Sequence, residues 1–170
     1  MRKKRILLRS LAVLGTVGIF GWPADAAIHR VPGDYPTIQA GISASSPFDT
    51  VLVDPGVYPE NVDFLSYDIT VASRYLLTGD PADIAATVIQ ANVGGPPVVR
   101  IGPGQTRLAR LCGFTITGGV GAEGSGVYCA GSSPTIDHNT ITNNCPQYDG
   151  GGIHVADGGP LIEHNDITGN

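Results

Sequence analysis

SSPTIDHNTITNN, Ser132 to Asn144, returns twenty-six residues later as GGPLIEHNDITGN, Gly158 to Asn170. Pro134 recurs as Pro160, Ile136 as Ile162, His138-Asn139 as His164-Asn165, Ile141-Thr142 as Ile167-Thr168, and Asn144 as Asn170. LCGFTITGG, from Leu111, fits the same frame, so that Ile116, Ile141 and Ile167 are spaced 25 and 26 residues apart. GVYC (Gly126 to Cys129) and GIHV (Gly152 to Val155) repeat at 26 as well. A period of this length marks a solenoid, because one such unit cannot bury its apolar side alone. Gly, Pro, Asn and Thr fill each unit and its apolar residues alternate, which excludes a helical solenoid and leaves short strands stacked on themselves.

Alternation within TIDHNTIT turns Ile136 and Ile141 inward and predicts that Asp137, Thr140 and Thr142 face water. The count slips by one between the two isoleucines, so a bend falls near His138-Asn139. Asn139 then lies over Asn165, Asn144 over Asn170 and Ile141 over Ile167, at the strand spacing of ~4.8 Å. Side-chain amides stacked in this way hydrogen-bond along the axis. The repetition is therefore read first as architecture.

The upstream chain shares the habit without the period. Val51-Leu52-Val53 is a short strand stopped by the turn signal Asp54-Pro55-Gly56, and Ile69-Thr70-Val71, Val88-Ile89 and Val98 to Ile101 are similar β-branched runs. Only IHRVPGDYPTIQAGISASS reads as helix, beginning at Pro36 or Thr37, with Ile38 and Ile42 on one apolar side.

The N-terminus speaks to location. Arg2-Lys3-Lys4-Arg5 and Arg9 precede the apolar run Leu11 to Trp22, and Ala24-Asp25-Ala26 supplies an A-x-A site. Together these make residues 1–26 a secretory signal peptide cleaved after Ala26, and the expected location is secreted, periplasmic or cell-surface. No other segment is long enough to span a membrane once the signal is removed. The mature chain holds five arginines against fourteen acids, a formal charge of −9, which argues against nucleic acid as a partner. It permits Ca²⁺, cationic partners or neutral glycans. Cys112, Cys129 and Cys145 match no zinc pattern and define no disulfide framework.

On two signatures the chain resembles right-handed parallel β-helix proteins of the pectin-lyase-like superfamily, of the secreted and surface bacterial kind. One is IHRVPGDYPTIQAGI…DTVLVDPGVYPENV; the other is GVYC…SSPTIDHNTITNN. SRYLLTGDPADIAATVIQA is similar to an insertion in surface-anchored members. The resemblance implies an all-β solenoid, a right-handed parallel β-helix with an N-terminal capping α-helix: strand and cap helix over residues 27–50, coils over 51–170. Stopping mid-pattern at Asn170, the coils are expected to continue beyond it or to be covered by a partner. The family includes lyases, hydrolases and esterases of acidic glycans. The chain has no Asp-Asp pair of the polygalacturonase kind and no segment matching the methylesterase set, and Arg100, Arg107 and Arg110 sit in no lyase motif.

Several residues nevertheless qualify as site candidates. Asp137 and Glu163 occupy the same predicted outward position on consecutive turns, and Asp166 sits where Thr140 was. Stacked carboxylates share Ca²⁺ or raise one another's pKa for acid catalysis, although solubility explains exposed acids as well. His138 and His164 stack likewise and His154 lies opposite Tyr128, an arrangement that suggests Cu or Zn, although two rungs supply only two ligands. Tyr148, in the loop CPQYDGGG, is a candidate platform for a sugar ring. Gly119 to Gly124 spells G-x-G-x-x-G, but no helix opens after it, so it is not a dinucleotide site. Cys129 is expected in the core and Cys112, aligned with Asp137, on the outside. The expectation is an exported module that binds or presents polysaccharide without catalysis. The alternative is a calcium-dependent lyase or a hydrolase using Asp137, Glu163 and Asp166, and a weaker one is a copper- or zinc-binding protein.

Overall fold

The structure, a computed structural model, describes residues 26–92, 95–121, 126–146 and 150–170. The segment read as a signal peptide, other than Ala26, lies outside the described residues, as do Tyr148 and residues 122–125 of the G-x-G-x-x-G loop. The chain opens with β1 (Ile28–Val31) and α1 (Ile38–Ala44), then makes a first coil of β2 (Thr50–Val53), β3 (Gly56–Pro59) and β4 (Val62–Asp63). The second coil is β5 (Thr70–Ser73), α2 (Tyr75–Thr78), α3 (Pro81–Ala86), β6 (Thr87–Gln90) and β7 (Val99–Ile101). The third is β8 (Arg110–Cys112), β9 (Thr115–Thr117) and β10 (Val127–Ser132). The fourth is β11 (Thr135–Asp137), β12 (Thr140–Thr142) and β13 (Ile153–Gly158), and β14 (Leu161–Glu163) and β15 (Asp166–Thr168) begin another.

Corresponding strands of successive coils pair into three parallel sheets, β1-β2-β5-β8-β11-β14, β3-β6-β9-β12-β15 and β4-β7-β10-β13. This is a solenoid of parallel strands, and its register is the sequence repeat made physical. Val51, Val71, Leu111, Ile136 and Ile162 form one column. Ile89, Ile116, Ile141 and Ile167 form a second, and Val62, Val99, Val127 and Ile153 a third. Each fully buried Leu or Ile in these columns contributes about 1.5–3 kcal/mol. Among the described residues the apolar interior meets solvent from β13 onward, with Val155 39%, Ile162 41% and Ile167 44% exposed.

The bends between sheets are built from left-handed residues and asparagine. Gly113 (φ 83°), His138 (φ 55°) and His164 (φ 53°) turn the first sheet into the second. Gly118 (φ 81°), Asn143 (φ 55°) and Gly169 (φ 64°) make the next corner. Gly, Asn and His tolerate this conformation best. Asn139 follows the first bend: its Nδ2 donates to Leu111 O (3.1 Å), Asp137 O (3.0 Å) and Asn165 Oδ1 (3.0 Å), and its Oδ1 accepts from Phe114 N (3.0 Å). Asn144 repeats the arrangement at the second corner, donating to Ile116 O (3.1 Å) and Asn170 Oδ1 (2.9 Å) and accepting from Gly119 N (2.9 Å). Corner backbone groups that no strand can reach are thus satisfied internally.

Helix α1 is set by its partners. Thr37 accepts from Ala40 N (3.1 Å), and Glu60, in the loop after β3, accepts from Ile38 N and Gln39 N (both 2.9 Å). Ile38 and Ile42 enter the core, and Gly41 lets the helix approach β2, since a Cβ there would stand 3.0 Å from a Val51 methyl.

Two expectations need correction. The insertion SRYLLTGDPADIAATVIQA is not free of helix: it forms α2 and α3, the latter capped by Asp80 through Ala82 N (2.9 Å). Asp137 and Cys112 do not face water; they are 2% and 0% exposed. Both sit on the outer side of the first sheet, but Arg110 and His138 close on Asp137 there, and Tyr75 of α2 packs against the His138 ring. Alternation decides which face a residue takes, and a roof from elsewhere in the chain decides whether that face is wet. Among the described residues, no helix is long and apolar enough to cross a membrane.

Candidate functional site

Among the described residues, two regions of chemistry-bearing side chains include the candidates read from the sequence, and the register places both. The first lies at the bend between the first and second sheets. Cys112, Asp137 and Glu163 stand in one register column on β8, β11 and β14. Arg110, two residues before Cys112, reaches across one rung to Asp137, with Nε donating to Oδ1 (2.7 Å) and an NH2 to Oδ2 (2.6 Å). His138 turns back in its left-handed conformation and sets Nδ1 2.7 Å from the same Oδ2. Its ring is held on both sides, 5.0 Å from the Tyr75 ring and 4.9 Å from that of His164, with which it is stacked at 12°.

The electrostatics follow from this packing. Burial pushes the Asp137 carboxyl up, but the hydrogen bonds from Arg110 and His138 outweigh it and hold the group below the usual carboxylate range. The expectation that stacked carboxylates would raise the pKa of Asp137 is therefore wrong, because its nearest charge is a guanidinium and not Glu163. The Cys112 thiol is pushed up to about 12 by burial, and the Asp137 charge pushes in the same direction. It is a neutral thiol and no nucleophile at neutral pH. Arg110 is held in its charged form by Asp137.

The second region is the outer side of the third sheet. Asp63, Arg100, Tyr128 and His154 form one register column across β4, β7, β10 and β13. Their neighbours Val62, Val99 and Val127 point inward and are buried. Tyr128 and His154 rings lie 5.4 Å apart. Arg100 and Asp63 approach only to 4.0 Å, with side chains 52% and 45% exposed, so the guanidinium remains open to solvent. At the foot of the column a cleft of about 280 Å³ is lined by Asn61, Val62, Asp63, Pro96, Pro97 and Arg100.

Of the residues singled out from sequence, Asp137, His138 and His164 come together, whereas His154 stands on a different sheet against Tyr128. Glu163 is in register with Asp137 and Asp166 with Thr140, both acids exposed on the last coil. Cys129 is buried, and all three cysteines are free thiols. Sequence reading missed Tyr75 and the pairing of Arg110 with Asp137, and it weighed Arg100 only against a lyase motif. Arg110 could have been found by extending the repeat one strand upstream, where it aligns with Thr135. Comparison with protein-family models, curated proteins and solved structures gives no significant match to this chain.

Proposed function

We propose that the chain is an exported, right-handed parallel β-helix module of the pectin-lyase-like type, with α1 as its cap, that binds polysaccharide on the outer side of the third sheet, where Arg100 offers a local cation for a uronate on a chain whose net charge is negative. The observation that carries this reading is the column Asp63–Arg100–Tyr128–His154. Its rungs are ~4.8 Å apart, so the column runs about 14 Å along the axis. Tyr128 offers a ring face with a polar tip, suited to the apolar face of a pyranose. Arg100, loosely paired, offers a planar fork matched to a uronate carboxylate. The cleft beside it, with Asn61 and two prolines, gives one sugar a walled seat.

The lyase or hydrolase reading has less support. General acid–base chemistry needs a carboxyl free to take or give a proton. Asp137 has both oxygens engaged by Arg110 and His138.

The test is an array of neutral and acidic glycans probed with the folded chain. Retention of uronate-containing glycans, weakened at least tenfold in Arg100→Ala, is expected. Binding at background across the array overturns the reading.

A further inference from the structure

We propose that Cys112, Asp137 and His138 form a binding site for a transition-metal dication of the zinc class. Among the described residues these are the one group of three His, Cys or carboxylate side chains whose ligand atoms all lie within 4.8 Å of one another. Their meeting is a product of the fold. Register sets Cys112 beneath Asp137 across one pair of strands, and the left-handed bend at the next residue returns the His138 ring to the same spot. The ring does not wander, because Tyr75 and His164 flank it. Two of the three donors are buried before any ion arrives, and His138 is the partly open one, its side chain 32% exposed.

The donor set names the metal class. A thiolate, an imidazole and one carboxylate oxygen suit Zn²⁺ and its spectroscopic substitute Co²⁺, whereas Ca²⁺ and Mg²⁺ want oxygens alone. Zinc ligands lie about 2.0–2.3 Å from the ion, so donors up to 4.8 Å apart draw in around it. His138 Nδ1 and Asp137 Oδ2, hydrogen-bonded at 2.7 Å, give up that bond and move apart, the imidazole proton passing to Nε2. Three protein ligands leave a fourth position, on the side where the Arg110 and His138 side chains are 36% and 32% exposed. Binding exchanges the Cys112 proton for the metal, and the proton leaves to water.

Arg110 fits this role as a neighbour and not as a rival. Its NH2 on Oδ2 gives way to the ion, while Nε keeps its bond to Oδ1 and orients the carboxylate. With Arg110 retained, a dication, a thiolate and a carboxylate sum to one positive charge, and exposed Glu163 stands one rung above. The site differs from the three-histidine set suggested by sequence, since His154 is on another sheet.

Titrating the full chain with Co²⁺ under a phosphine reductant tests this. Expected are saturation at one equivalent, a near-ultraviolet thiolate-to-cobalt band and tetrahedral visible bands. The near-ultraviolet band disappears in Cys112→Ser and persists in Cys145→Ser, and His138→Ala weakens binding more than ~10-fold. A wild-type titration without the thiolate band overturns the site, as does a band that survives Cys112→Ser or falls with Cys145→Ser. Should Cys112→Ser fail to fold, X-ray absorption on zinc-loaded Cys145→Ser decides: one sulfur at about 2.3 Å supports the site and a purely nitrogen and oxygen shell contradicts it.

Discussion

Arg110 grips Asp137 with two parallel hydrogen bonds across one rung of the solenoid, Nε to Oδ1 at 2.7 Å and NH2 to Oδ2 at 2.6 Å. The carboxylate is 3% exposed and the guanidinium side chain 36% exposed, so the pair lies at the boundary between interior and solvent. Position decides its energetics. Fork geometry and a drained carboxylate make it stronger than a surface pair, and the half-open guanidinium keeps it weaker than a fully buried one.

Arg110→Ala leaves Asp137 charged and short of donors. The expected loss is about 2 kcal/mol, less than the full cost of orphaning a buried charge because solvent still reaches the gap. Arg110→Ala/Asp137→Asn is expected to recover about half of it, since the amide is neutral. Urea unfolding of the two variants and the wild type checks both values. Equal stability of all three would show that the pair contributes nothing.

His138 sets backbone strain against side-chain contact. Its φ of 55° suits glycine, while its ring bonds Asp137 and stacks on Tyr75 and His164. His138→Ala loses the ring and keeps the strain; His138→Gly loses the ring and relieves it. The glycine variant is therefore expected to be the more stable of the two by about 1 kcal/mol. Thermal unfolding compares them directly. An alanine variant as stable as the glycine one would mean that the bend relaxes.

Asn139 is 2% exposed and serves four backbone or amide partners. Asn139→Ala strands the Phe114 N–H and the Leu111 carbonyl, at an expected cost of about 3 kcal/mol. Asn165→Ala, on the more open coil, is expected to cost less. Reversal of that order in urea unfolding would contradict the ladder's energetic role.

Asp49 supplies the pH dependence. Burial alone would raise its carboxyl, but His29 Nε2 (3.0 Å), Ser46 N (2.8 Å) and Ala27 N (2.7 Å) hold it below its ordinary value. A carboxyl with a lower pKa folded than unfolded stabilises fully above the unfolded value, about 3.9, and the contribution vanishes as pH falls through the folded one. Stability of the wild type is therefore expected to fall more steeply below pH ~4 than that of Asp49→Asn. Parallel pH profiles in urea unfolding would remove Asp49 from the account.

Legibility in the sequence followed distance along the chain. The Ile141–Ile167 and Asn139–Asn165 pairings were readable because a period of 26 residues prints the register directly. The left-handed bend at His138 was readable in principle, since Gly113 occupies the same place one coil earlier. The burial of Asp137 was not readable. It depends on Arg110, whose strand keeps the register but few of the repeat's residues, and on the His138 ring, against which Tyr75 packs from an insertion without a repeat. Tyr128 and His154 could be aligned from GVYC and GIHV, whereas Arg100 joins them only through strand pairing.

The most direct test of the central claim is amide hydrogen exchange on the folded chain, with and without an oligouronate retained on the glycan array. Slowed exchange confined to Val99–Ile101 and Val127–Ser132, and absent in Arg100→Ala, is the predicted result. Protection located instead along the second sheet, or none at saturating glycan, would contradict the assignment of the third sheet as the binding face.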